Sequence, residues 1–544
     1  MQPNGTFNFE IIEFGNSLEI LGSFNDISGL SLIQFENLNI THIDEFSFTG
    51  ESIRYLLLSG NTFTEVDFAK GMPNLIQIDI SGSNVTNLSI FNGTNDNDFN
   101  NLQTVLATNI SSNVVLDGAF INMPFISIID LTNTNIISIN NSFNQLNQLT
   151  GFGYTGTNLE IIVNSFNGLF NETILLGNVE HDLIFTDGKL GIIQDSFNDS
   201  TFGYVLFSGQ ESLELNTEIS NSFNATTMEN IATFLDSNFK TISNSFNFIT
   251  AQSLNFSNSE VETVTMSFDE AVIAEHLSLA FNNITTLTDL STMSVMTLLL
   301  NNNQLTSVSS IQNISNLETL DISNQLDDLL VPTLLSIDGI NDIPTLTTIF
   351  TDGLEIASID GLRNLGITEF DYQSDEHNDV LITSISPTSF TGSPIEDLNL
   401  EGHVLTNVDF LDNMTSLIDL TIFTDVSDLS YLTDSVYKDT LQYLYLGTPN
   451  NIIDFSPVNG YSVLDTFAFG STMTNEINNL DNLPIPKYEL IMKKKIGNML
   501  PVQAGRGCTY NCTFCSIACL YQGKYMFRPV DDVRPVIIKF VTDT

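Results

Sequence analysis

For its first 507 residues the chain has no cysteine. Disulfide-bonded caps are excluded over that length, which counts against an animal-type secreted receptor. Basic residues are nearly as scarce. Residues 1–486 hold six of them: Arg54, Lys70, Lys189, Lys240, Arg363 and Lys438. The whole chain has 15 Lys and Arg against 65 Asp and Glu, a net charge of −50. For most of the chain this excludes nucleic acid and anionic membrane as partners, because phosphate contacts need Lys and Arg. No run of eighteen apolar residues occurs, so no membrane span is expected. The opening MQPNGTFNFEIIEFG has neither a basic n-region nor an apolar h-region, so no signal peptide is read there. It already carries patterned sequence, and the expectation is that the start lies upstream.

What is present is a long patterned chain joined to a short, different one. Hydrophobic residues make up 42% of 544 residues, enough for a large core and too many for a disordered acidic tail. Residues 487–544 hold nine basic residues against four acids, a net +5, which leaves −55 on the rest. The composition changes at Pro484 and Pro486. The expected domains are therefore 1–483 and 484–544.

The first domain repeats itself. One pattern, apolar-x-x-apolar-x-apolar-x-x-polar-x-apolar-x-x-apolar, runs through Ile53, Leu56, Leu58, Asn61, Phe63 and Val66. It recurs through Leu75, Ile78, Ile80, Ser83, Val85 and Leu88, and again through Leu298, Leu300, Asn303, Leu305 and Val308. Leu56 to Ile78 is 22 positions, as is Leu398 to Leu420. The tetrapeptide Asn/Asp-Ser-Phe-Asn keeps a similar beat, with its phenylalanine at 143, 166, 197, 223 and 246. The L-x-L stretch predicts a short strand. The polar residue turns the chain and bonds the backbone of neighbouring coils. The phenylalanine fills the interior on the returning side, and stability comes from stacking. Ser83, Thr134, Gln325, His403 and Asp425 take the place of Asn in some copies, and 170–240 and 325–395 drift out of register.

These repeats resemble the leucine-rich repeat family over roughly residues 15–480, on the order of twenty copies at that family's period. The resemblance implies an α/β repeat solenoid, a leucine-rich-repeat parallel sheet that is mostly β and loop. It also implies a protein partner on a concave sheet face. Longer, Phe-containing repeats are expected before about residue 280 and shorter ones after it. Asp pairs such as 327–328 lack the spaced array of a calcium loop. Asn-x-Ser/Thr sequons are frequent, as chance dictates in so Asn-rich a chain.

The second domain gathers all four thiols: Cys508, Cys512, Cys515 and Cys519. The first three read C-x3-C-x2-C in CTYNCTFC. Soft thiolates on one compact loop suit an iron–sulfur cluster or zinc, and the spacing is unusual for zinc. The surrounding stretch, MLPVQAGRGCTYNCTFCSIACLYQGKYMFRPVDDV, resembles the radical S-adenosylmethionine enzymes, most closely those found with a cobalamin-binding domain. The resemblance implies that Cys508, Cys512 and Cys515 each ligate one iron of a [4Fe–4S] cluster. S-adenosyl-L-methionine would take the fourth iron, and Phe514 would pack beside its adenine. Arg528 matches a basic position of the family, and a surface ion pair with Asp531 or Asp532 explains it equally well. LPVQAG is the expected first barrel strand, and Asp531 starts the expected first helix, in which Pro535 is out of pattern.

Only 29 residues follow Cys515, so the expectation is an incomplete β/α barrel fragment. No cobalamin-type D-x-H-x-x-G motif precedes it; cobalamin remains open while its binding domain is absent. Two functions follow. One is a protein-binding leucine-rich-repeat scaffold carrying a cluster-binding motif without turnover. The other is a truncated radical S-adenosylmethionine enzyme with a repeat docking domain. The compartment is cytoplasmic if the cluster forms, and a cell surface suits the repeats.

Overall fold

The computed structural model describes residues 17–470, apart from internal stretches of which the longest are 170–181, 210–216, 374–380 and 448–453. It also describes the backbone of two strands, Gly505–Gly507 and Tyr525–Phe527. The chain forms two compact units. One holds the chain to Leu446 and Ile452–Phe469, the other Gly447–Asn451 and Gly470–Thr544.

The first unit is a parallel-sheet solenoid with almost no helix, the architecture that the leucine-rich-repeat resemblance implies. A first sheet runs from Leu32–Gln34 to Gly151–Thr155, a second from Asp182–Thr186 to Thr348–Phe350, and a third from Glu369–Asp371 to Thr466–Gly470. The L-x-L strands form because alternate side chains can be buried, coil upon coil. Leu56 pairs in register with Ile78, Leu298 with Leu320, and Leu398 with Leu420. All six are fully buried, each contributing roughly 1.5–3 kcal/mol relative to exposure.

Two expectations change. Among the described residues the returning side carries no α-helix, only short 3-10 turns such as Asp67–Ala69 and Asp409–Asn413. Between Val114–Asp117 and Thr263–Thr265 it carries instead a second parallel sheet of seven strands. The α/β reading narrows there to a two-sheet β-coil. The supposed drift at 170–240 is also corrected where residues are described. Phe185, Phe207 and Phe234 lie in direct register on adjacent strands.

The tetrapeptide accounts for this seven-stranded return sheet, and each of its four residues has a separate task. The first residue turns the corner with a left-handed backbone, φ 47–49° at Asn141, Asn164, Asp195, Asn221 and Asn244. The serine is buried, and its hydroxyl joins two coils: Ser196 Oγ accepts the Ser165 N–H (3.1 Å) and donates to the Gln194 carbonyl (2.7 Å). Ser142, Ser165, Ser222, Ser245 and Ser267 repeat the pattern. The phenylalanine is again left-handed, φ 59–62° at Phe143, Phe166, Phe197, Phe223 and Phe246. The last Asn accepts the N–H of its counterpart one coil on, as Asn198 does from Asn224 at 2.8 Å.

The left-handed region costs a non-glycine residue roughly 1–2 kcal/mol. Ring burial offsets it. Phe143, Phe166, Phe197, Phe223 and Phe246 stack with centroids 4.6–5.0 Å apart and planes within 11°. A second column, Phe185, Phe207, Phe234 and Phe256, stacks at 4.6–5.1 Å. The columns meet edge to face, as between Phe223 and Phe234 at 5.5 Å and 89°. Both geometries suit the ring quadrupole. The sheets are thus locked against each other, and their outer faces are held rigid.

In the second unit, Gly505–Gly507 and Tyr525–Phe527 pair antiparallel, with Gly505 opposite Phe527. A β/α barrel unit is not shown there, and the helix expected from Asp531 lies outside the described residues.

Candidate functional site

Along each L-x-L strand the residues between the buried positions face outward. In the second sheet one such row reads His276, Thr297, Thr319 and Thr348, in register with the buried Ser253. Large apolar side chains stand exposed on the strands of the first two sheets: Tyr55, Ile128, Ile184, Ile231, Met296 and Phe350, at 38–46%. The return sheet differs. One of its outer rows reads Asn140, Gln194, Ser220, Ser243 and Thr265, broken only by Val163.

The third sheet concentrates charge. Glu369, Asp397 and Asp419 lie directly opposite one another on three adjacent strands. Asp397 N–H donates to Thr368, Asp419 N–H to Glu396, and Tyr443 N–H to Ile418, so Tyr443 continues the row. Asp371 and Asn399 begin a second row, and Tyr445 lies two residues beyond Tyr443 on the same strand, its ring edge-on to Phe423 at 5.7 Å. Partial burial, then the carboxylates of Asp419, Glu369 and Asp371, push the Asp397 pKa upward. Partial burial and Glu401 do the same for Tyr445. Among the described residues the ion pairs are His42 with Asp44, Lys70 with Glu45 and Asp67, Lys240 with Glu262, and Lys438 with Asp434. None reaches this row.

Beneath this face His403 occupies the slot that Asn holds elsewhere. Its Nδ1 accepts the Ile382 N–H at 3.2 Å, and its ring stacks on Tyr372 at 5.1 Å. Burial lowers its pKa, with a hydrogen bond to the Tyr372 backbone opposing. Its role is structural, since the accepting Nδ1 stands in for the Asn carbonyl oxygen.

A shallow cavity of about 220 Å³ lies between two 3-10 turns, lined by Leu432, Asp434, Lys438, Ser456, Pro457 and Tyr461. The Tyr461 hydroxyl is engaged with Ser435 Oγ (2.7 Å) and the Leu432 carbonyl (3.2 Å), which leaves no poised nucleophile–base pair. Among the described residues no three His, Cys, Asp or Glu side chains converge to hold a metal ion. No helix among them is long and apolar enough to cross a membrane. Cys508, Cys512, Phe514 and Cys515 lie outside the described residues, as do Cys519 and Arg528. Sequence reasoning missed the acidic row, whose signal was an acid just before the strand's first apolar residue in three successive copies.

No family model matches the chain, and no curated protein does. Solved structures similar to it include an internalin (inlF) from Listeria monocytogenes, 16% identical, covering 82% of this chain and 87% of that one at a TM-score of 0.20. The functional domain of InlJ from Listeria monocytogenes, which includes a cysteine ladder, is 16% identical over 78% of this chain and 76% of that one, with a TM-score of 0.23. TLR13 in its complex with ssRNA13 is 14% identical over 82% of this chain and 88% of that one, with a TM-score of 0.22. The coils described above form a leucine-rich-repeat-like parallel solenoid.

Proposed function

We propose that the solenoid is a binding scaffold that holds a protein partner on the outer face of its strand sheets. One observation carries this reading. The strand sheets present isolated large apolar residues, such as Ile128, Ile231 and Phe350, on a rigid polar ground. That is the make-up of anchor residues in protein interfaces. On the strands of the return sheet, Val115 is the one large apolar residue among the described residues that is exposed to this degree. The test places a photo-crosslinking phenylalanine analogue at Thr233, Asn255 or Leu299 on the strand side, and at Ser243 or Thr265 on the return side. Adducts in an extract of the source cells are expected from the strand side. Equal yields from both sides, or yields from the return side alone, would remove the reading.

A second reading concerns the cysteine segment, and the pairing of Gly507 with Tyr525, which flank it in sequence, favours it. Three thiolates in C-x3-C-x2-C fit an iron–sulfur cluster by donor type. Cys508, Cys512 and Cys515 would hold three irons of a [4Fe–4S] cluster, with S-adenosyl-L-methionine on the fourth and Phe514 beside its adenine. Once bound, that pair supplies one-electron reductive chemistry. Anaerobic reconstitution of the full chain should then give about four irons per chain. It should also give a paramagnetic signal that shifts on adding S-adenosyl-L-methionine. Unchanged iron content after serine replacement of all three cysteines would sink this reading.

A further inference from the structure

We propose that the outer face of the third sheet, at Glu369, Asp397 and Asp419 with the tyrosines Tyr443 and Tyr445, docks a lysine- and arginine-rich segment of a protein partner. The proposal rests on the strand-face reading and names the class of partner for one part of that face.

Coil stacking does not require this row. The corresponding positions of the second sheet are Ser253, His276, Thr297, Thr319 and Thr348, none of them acidic. Three like charges directly opposite one another on strands about 4.8 Å apart oppose folding. The residues beside them leave that repulsion in place, because no Lys or Arg among the described residues pairs with the row. Partial burial, and after it these neighbouring carboxylates, push the Asp397 pKa upward, in keeping with the crowding of charge that the strand register sets. A cationic partner relieves it.

The rest of the face narrows the partner further. The three carboxylates sit one per strand and do not converge into the oxygen cage that a bare divalent ion needs. They are spaced instead for separate ammonium or guanidinium groups. Tyr443 is 37% exposed on the next strand, and Tyr445 is half-buried behind it. Phenol faces beside carboxylates suit guanidinium, which stacks on aromatic rings and hydrogen-bonds carboxylates. The long-range field agrees, since the described coils belong to a chain of net charge −50, which draws basic segments in and turns polyanions away.

The test uses the full chain and a fluorescein-labelled deca-arginine peptide, followed by anisotropy at physiological salt. The triple variant Glu369→Gln, Asp397→Asn, Asp419→Asn is compared with Asp79→Asn, Asp130→Asn, Asp321→Asn, which removes the same charge from outer rows of the first and second sheets. We expect a loss of tenfold or more in affinity for the first variant and less than twofold for the second. Pairing Tyr443→Ala with Tyr445→Ala should cost about threefold, in line with modest cation–π energies. If the first triple variant does not fold, Glu369→Lys at an exposed position decides, with a loss of threefold or more expected. Equal losses from the two triple variants, or wild-type affinity in Glu369→Lys, would overturn the proposal. Should deca-arginine ignore the row while crosslinks still gather on the strand side, only the basic class of partner falls. Crosslinks lost from the strand side would instead remove the broader reading.

Discussion

Phe223→Ala should lower the stability of the central coils by about 3–5 kcal/mol, the usual cost of truncating a fully buried phenylalanine. Phe223 is fully buried and stacks on Phe197 at 4.6 Å and Phe246 at 4.9 Å, with Phe234 edge-on. Its removal opens a gap between two columns that interlock, so neither can close it without breaking the other's register. Backbone conformation gives the substitution a second readout. Phe223 has φ 59°, which glycine adopts freely and alanine does not. Phe223→Gly should therefore cost no more than Phe223→Ala, although it removes one more carbon. Urea unfolding measures the order. Native-state hydrogen exchange should show the loss centred on the coils of Phe197 and Phe246, because each repeat contacts only its neighbours. A loss below about 1 kcal/mol, or greater stability for alanine than for glycine, would show that the columns do not carry the coils.

Asn282→Leu should be comparably costly for a different reason. The buried Asn282 side chain engages five backbone groups. The two N–H bonds of Nδ2 are shared among the carbonyls of Phe256 (2.8 Å), Leu279 (2.9 Å) and Ala280 (3.1 Å), and Oδ1 accepts the N–H groups of Ser259 (2.9 Å) and Val261 (3.0 Å). Leucine has similar size and none of this capacity. It strands backbone groups of two coils, each at about 1–3 kcal/mol. A total of about 3–5 kcal/mol is expected by thermal or urea unfolding. Asn282→Gln should recover much of it, because Gln325 holds the same slot two coils later. There Nε2 reaches the carbonyls of Leu300 and Ile322, and Oε1 accepts the Leu305 N–H. Asn282→Asp should be as harmful as leucine, since a carboxylate would face three carbonyl oxygens. A glutamine variant as unstable as the leucine one would mean that shape, not bonding, fills the slot.

These two positions mark what the sequence made legible. Period and residue type identified the inward leucines, the phenylalanine slot and the bridging Asn, since each is forced by burial or by backbone pairing. The return sheet was not legible. Its strands are only three residues long at Ile161–Val163, Ile192–Gln194 and Thr241–Ser243, too short for alternation to register. The alternating left-handed residues were hidden because phenylalanine and serine give no turn signal of their own. The acidic row left a signal, an acid before the first apolar residue of each strand, but its members are far apart in sequence and it takes strand register to bring Glu369, Asp397 and Asp419 together. The substitutions at Gln325 and His403 looked like decay of the repeat, yet both side chains bond the same kind of backbone group as Asn.

The serine and asparagine ladders have a consequence for how such a chain changes over generations. Each hydroxyl and amide hands its bond to the same atom one coil on, so any coil ends where an identical one begins. A stretch from one tetrapeptide to the next can be deleted or duplicated without stranding a donor or acceptor. The spacings between successive phenylalanines, 23, 31, 26 and 23 residues, show that the material between corners is also free to vary. Unequal recombination between near-identical Asn-Ser-Phe-Asn segments would then lengthen or shorten the molecule in whole coils. Allelic forms would differ in reach while keeping the same corner chemistry.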